Sequence, residues 1–172
     1  LKDLDKSLTV DYREKAPAGA FRDLFLDSEG NYDKKKAQFS LLSAGVPGSV
    51  AGFHHALTKY GTISWQKALE PAIRLAEEGF VIPHDLANTL ASKRYRARLS
   101  SDPAASKVFY KEDGSLFRAG EVLVQKDLAT TLRLLSKNGP SAFYKGEIAN
   151  LIVKEMERNG GLINLDDLRN YN

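Results

Sequence analysis

Over Leu8-Thr9-Val10-Asp11-Tyr12-Arg13 apolar and polar residues alternate, so Leu8, Val10 and Tyr12 share one face of a predicted strand and Thr9, Asp11 and Arg13 the other. Lys15-Ala16-Pro17 stops it. A second short strand is predicted over Phe21 to Leu26, before the turn-rich Asp27-Ser28-Glu29-Gly30-Asn31. Two strands alone are marginal and require more strands or helices against them.

From about residue 47 the period becomes helical. Pro47 suits a first helical turn, and the predicted helix runs to about Tyr60 and ends at Gly61. Ser64 is a candidate N-cap for the next helix, where Trp65, Ala68, Leu69, Ala72, Ile73 and Ala76 recur at i, i+3, i+4 spacing before Gly79. Pro71 interrupts that pattern, which predicts a kink or two abutting helices. A further helix is predicted over roughly Pro83 to Arg98, and an extended piece and turn over Val108 to Gly114.

Asp127 is placed as the cap of a helix carrying Leu128, Leu132 and Leu135 and ended by Asn138-Gly139-Pro140. Tyr144, Ile148, Leu151, Ile152 and Met156 mark the stripe of the next, closed by Gly160 and Gly161. Asn164-Leu165-Asp166-Asp167 reads as an N-cap with an acidic first turn, opening a last helix near Asn172. The fold class predicted is α+β: mainly helical with a small β element at the N-terminus, in one domain over residues 1–172.

Composition narrows the class without naming a function. With 172 residues, 42% of them hydrophobic and 27% charged, the chain can build a core and is neither collagenous nor largely disordered. No run approaches the roughly 18 apolar residues of a membrane span, so none is expected. The absence of cysteine removes disulfides, thiolate zinc sites and a cysteine nucleophile, and leaves the compartment open. Net charge is only +3. Arginines interleaved with Tyr95 over Lys93 to Arg98 could grip a nucleic acid, but no recognised binding motif accompanies them and a solvated helix face accounts for them.

The candidate chemistry is sparse. His54 and His55 are adjacent, so on a helix they diverge by about 100° and cannot both ligate one metal, and His84 is alone. Glu77-Glu78, Glu112-Asp113 and Asp166-Asp167 are paired only in sequence and read as caps or solvated faces. Gly45-Val46-Pro47-Gly48-Ser49-Val50-Ala51-Gly52 lacks the spacing of a dinucleotide or phosphate loop, so close backbone packing at a helix start explains it better. No Gly-x-Ser-x-Gly elbow is present, and no cluster implies a metal or organic cofactor. Arg13 is left as the side chain of interest. A structural ion pair with Glu14 competes with a functional role, although regular strand geometry would point the two to opposite faces.

The blocks DYREKAP, LFLDSEGN, AGVPGSVAGFHHALTKYG, LEPAIRLAEEGF, LVQKDLATTL, NGPSAFYKGEIA and NGGLINLDDLRNY resemble, in order, the large subunit of bacterial gamma-glutamyltranspeptidases. The resemblance runs from about Tyr12 to the end. It implies an N-terminal-nucleophile hydrolase with a four-layer αββα fold, whose precursor cleaves itself so that a threonine at the start of the small subunit attacks the gamma-glutamyl amide of glutathione. It also implies that Arg13, in the Arg-Glu-x-Ala-Pro motif, contacts the substrate α-carboxylate, a task suited to a bidentate guanidinium.

Nothing here matches the small subunit's threonine motif, and Thr130-Thr131 sits between helically spaced leucines. The chain is therefore expected to be a large-subunit fragment, inactive alone, whose partner is the small subunit. The resemblance further implies a periplasmic or secreted bacterial protein. The alternative is a non-catalytic homologue that binds amino acids or peptides.

Overall fold

A computed structural model describes residues 7–172. The chain forms two compact units, one of residues up to 68 with Leu134–Asn172, the other Leu69–Arg133; the boundaries fall inside helices.

The first unit contains α1 (Lys34–Phe39), a 3-10 turn at Leu41–Ser43, α2 (Ser49–Tyr60) and the start of α3 (Trp65–Glu78). After Leu134 it contains the end of α7 (Lys126–Asn138), then α8 (Pro140–Tyr144), α9 (Glu147–Asn159) and α10 (Leu165–Arg169). Val46, Tyr144, Ala149, Ile163 and Leu168 form its buried cluster, with Val50, Ile152, Val153 and Met156 packed around it. Leu151, expected on the apolar stripe of α9, is 58% exposed, and Tyr144 belongs to the separate α8. Gly146 breaks the two helices apart, and a Cβ there would sit 3.0 Å from the Ala142 Cα.

The second unit holds most of α3, then β1 (Phe80–Val81), α4 (His84–Ala91), α5 (Lys93–Ser100), α6 (Pro103–Phe109), β2 (Val122–Leu123) and the first part of α7. β1 and β2 pair antiparallel, Phe80 opposite Leu123 and Val81 opposite Val122. Ile82 and Leu123 are each 1% exposed and anchor this core.

Several local expectations are corrected. Among the described residues the ladder is β1–β2, not an N-terminal pair: residues 8–14 belong to no strand or helix, and Phe21 to Leu26 forms turns. Only isolated bridges occur there, Lys15 with Val46 and Leu26 with Tyr32. Alternation specifies which face a strand would present, but a ladder also needs a neighbouring strand to take its N–H and C=O groups. The helix expected over Pro83 to Arg98 is two helices broken at Ser92, whose hydroxyl bonds to the Thr89 carbonyl at 2.8 Å in competition with the backbone.

Val108 and Phe109, expected extended, end α6. Asp102 caps that helix by accepting from the Ala104 and Ala105 N–H groups, and Pro103 occupies its first turn. Asp127 lies in the first turn of α7 rather than at its cap. Pro71 stands inside one continuous α3, with Lys67 and Pro71 both exposed so that water can take the Lys67 carbonyl.

Candidate functional site

Arg13 lies on the segment 10–14, which forms one wall of an open cleft of about 650 Å³; Gly45, Pro47, Gly48 and Ser49 form the other. The second wall leads into α2, and its small residues let the two walls approach. A Cβ on Gly48 would lie 2.2 Å from the Tyr12 carbonyl oxygen, one on Gly52 2.3 Å from the Tyr12 ring, and one on Gly45 2.7 Å from Glu14 Cγ. Close backbone packing, as the sequence implied, is the use of these glycines. The Tyr12 ring also tilts against Phe53 at 5.4 Å.

Two tyrosines secure the walls. Tyr144 donates its hydroxyl hydrogen to the Pro47 carbonyl at 2.8 Å and accepts from the Ala51 N–H at 3.2 Å, tying α8 to the start of α2. Burial pushes its phenol up, partly offset by the Ala51 bond. Tyr171 stacks on Tyr144 at 5.6 Å with the rings 14° apart, and donates to the Arg13 carbonyl at 2.7 Å. Below the cleft, Lys15 and Val46 exchange backbone bonds at 3.1 and 2.7 Å.

The Arg13 side chain is 81% exposed and pairs with Glu14, Nη2 to Oε1 at 2.7 Å. That hydrogen bond raises the guanidinium further and holds the Glu14 carboxyl below its ordinary range. The competing ion-pair reading is thus realised, because the segment is not regular strand and the two side chains need not diverge. One nitrogen of the fork is engaged. A guanidinium carries five N–H donors, so others can still meet a planar carboxylate.

A family model described as gamma-glutamyltranspeptidase matches residues 2–172. The chain belongs to that family. It is 46% identical over 162 residues to the glutathione hydrolase proenzyme of Escherichia coli (strain K12), covering 94% of this chain and 28% of that protein. Among solved structures it is similar to the gamma-glutamyltranspeptidase of Helicobacter pylori, with a TM-score of 0.90 and 43% identity over 94% of this chain and 46% of that one. The enzyme from Pseudomonas nitroreducens gives a TM-score of 0.84 at 34% identity, with the same coverage. The chain therefore spans less than half of these relatives, and its mostly helical build with one two-stranded sheet is consistent with a fragment of their fold.

Within this member of the family the other candidates fall elsewhere. His54 packs edge-on against Trp65 at 5.1 Å, and His55 and His84 are exposed. Among the described residues no group of three or more His, Cys, Asp or Glu could hold a metal. Thr130 and Thr131 lie within α7 and bond back to the Lys126 and Asp127 carbonyls. Lys93 to Arg98 lies on α5, with every residue exposed. Sequence reasoning placed Tyr144 only on an apolar helix stripe and did not single out Tyr171, since 158 residues separate Tyr171 from the carbonyl it holds and no local pattern marks such a pairing.

Proposed function

We propose that residues 1–172 are part of the large subunit of a gamma-glutamyltranspeptidase, and that Arg13 holds the α-carboxylate of its gamma-glutamyl substrate. The observation that carries this reading is an exposed guanidinium on the wall of an open cleft, mounted on backbone held from behind, in a member of this family. Two parallel N–H···O bonds would fix both the charge and the orientation of the glutamyl group.

The complete protein would cleave the gamma-glutamyl amide of glutathione. A threonine at the start of a separate small subunit attacks the γ-carbonyl carbon, its own α-amine taking the hydroxyl proton, and an ester forms as the amine leaves with a proton. Water, an amino acid or a peptide then attacks the ester, releases the product and restores the threonine. This chain supplies the clamp and scaffold, and the nucleophile comes from the partner subunit. A periplasmic or secreted location in a bacterium belongs to the same reading, supported by the likeness to bacterial gamma-glutamyltranspeptidases.

Replacing Arg13 with Ala in the complete enzyme tests the clamp. Loss of charge-assisted bonds predicts a KM raised about tenfold or more with unchanged thermal stability. An unchanged KM would remove Arg13 from the site. Intact mass and N-terminal sequencing of the native protein test the rest: two chains, the smaller beginning with Thr, are expected, and a single uncleaved chain would favour the non-catalytic binding homologue.

A further inference from the structure

We infer that Tyr171 is a positioning residue that sets the aim of Arg13 by fixing its main chain, an inference that rests on the reading of Arg13 as the carboxylate clamp. Residues 8–14 have no ladder, so nothing periodic holds them against the cleft. Beyond Arg13 the Lys15–Val46 bridge pins the backbone; at Arg13 itself the N–H donates to Asp11 Oδ1 at 3.1 Å within the segment, and the Tyr171 hydroxyl, 2.7 Å from the carbonyl oxygen, ties it to a distant part of the chain. A carbonyl bonded at this point restrains the peptide that follows the Arg13 Cα, and so the orientation of the Cα from which the side chain projects.

Tyr171 can act this way because it is itself held. Its ring stacks on Tyr144, which is 6% exposed and belongs to the buried cluster of the unit. Lys15 Nζ lies 5.5 Å over the same ring and bonds to Asn172 Oδ1 at 2.5 Å. Tyr144 in turn holds Pro47 and Ala51 on the opposite wall. One stacked tyrosine pair thereby ties both walls of the cleft to the core, each through its own hydroxyl. Gly48 makes room for it: a Cβ there would sit 1.8 Å from the Tyr171 oxygen.

Tyr171→Phe in the complete enzyme removes the hydroxyl and keeps the ring, so the stack and the contact with Lys15 remain. The expected result is a KM for a gamma-glutamyl anilide raised about three- to tenfold, with kcat altered by less than about twofold. The discriminating readout is the ratio of kcat/KM for that substrate to kcat/KM for its 4-aminobutanoyl counterpart, which lacks the α-carboxylate. This ratio is independent of how much enzyme is folded. Tyr171→Phe should lower it in a background with Arg13 intact and leave it unaltered in an Arg13→Ala background.

An unchanged ratio in Tyr171→Phe, with a lowered ratio in Arg13→Ala, would overturn the positioning role and leave the clamp standing. An equal loss in both backgrounds would also overturn it, since Tyr171 would then act by another route. If Arg13→Ala alone leaves the ratio unchanged, the clamp itself fails and the positioning role with it.

Discussion

The hydroxyl of Tyr171 donates to the carbonyl of Arg13 at 2.7 Å, joining positions 158 residues apart. The close approach depends on Gly48, whose missing side chain leaves space for both the tyrosine oxygen and the Tyr12 carbonyl.

Gly48→Ala is accordingly expected to force the two apart. The added methyl would meet the Tyr12 carbonyl at 2.2 Å, and backbone cannot swing aside as a side-chain end can. Overpacking of this kind costs about 1–3 kcal/mol, and here it should also raise KM through the displaced Arg13 segment. Gly19→Ala is the control, because its Cβ would meet Leu162 at an ordinary 3.7 Å. Denaturant unfolding and steady-state kinetics on the two variants check the contrast.

Asp167 joins the last helix to the chain just after Arg13. Its Oδ1 accepts from the Ala18 N–H at 2.8 Å, while Oδ2 accepts from the Asn164 N–H at 3.0 Å to complete the capping box of α10. Asp167→Ala should cost about 1–3 kcal/mol, since two backbone donors lose a charged acceptor. Asp167→Asn keeps one acceptor oxygen and should cost less. Amide exchange at Ala18 and Asn164, faster in the alanine variant, locates the loss.

Glu121 supplies a pH dependence of known sign. Its carboxylate accepts from Lys111 Nζ and from the Arg118 N–H, both at 2.6 Å, and the Lys111 bond is the leading cause of a value below the ordinary carboxylate range. A folded-state value below the unfolded one means that the stabilisation is present above the unfolded value and is lost as pH falls through the folded one. Thermal melts from neutral to acid should therefore show Glu121→Gln converging on the parent at low pH. A gap that persisted in acid would contradict the assignment.

The helices were largely legible because their signals are local. The end of α2 at Gly61, the Ser64 hydroxyl accepting from the Lys67 N–H, the left-handed Gly160 closing α9 and the Asn164 capping box all follow from residues a few positions apart. The start of α6 was equally readable in Asp102-Pro103, yet the apolar Val108-Phe109-Tyr110 suggested an extended piece instead. Where competition decided, periodicity misled: Ser92 divides α4 from α5 by bonding to its own preceding turn.

The candidate site divides in the same way. Arg13 and the small-residue segment Gly45 to Gly52 stood out in the sequence, the first by its chemistry and the second by its composition. By itself the sequence determined the family, those helix ends that a local cap or glycine marks, and the residue types able to meet a carboxylate, since those depend on identity and short spacing. Tertiary structure alone decided that the Arg13 segment is unpaired, that Glu14 pairs with it, and that a stack of Tyr144 and Tyr171 secures both walls of the cleft. Such contacts require distant segments to meet at ångström distances, and that geometry is set only when the whole core packs.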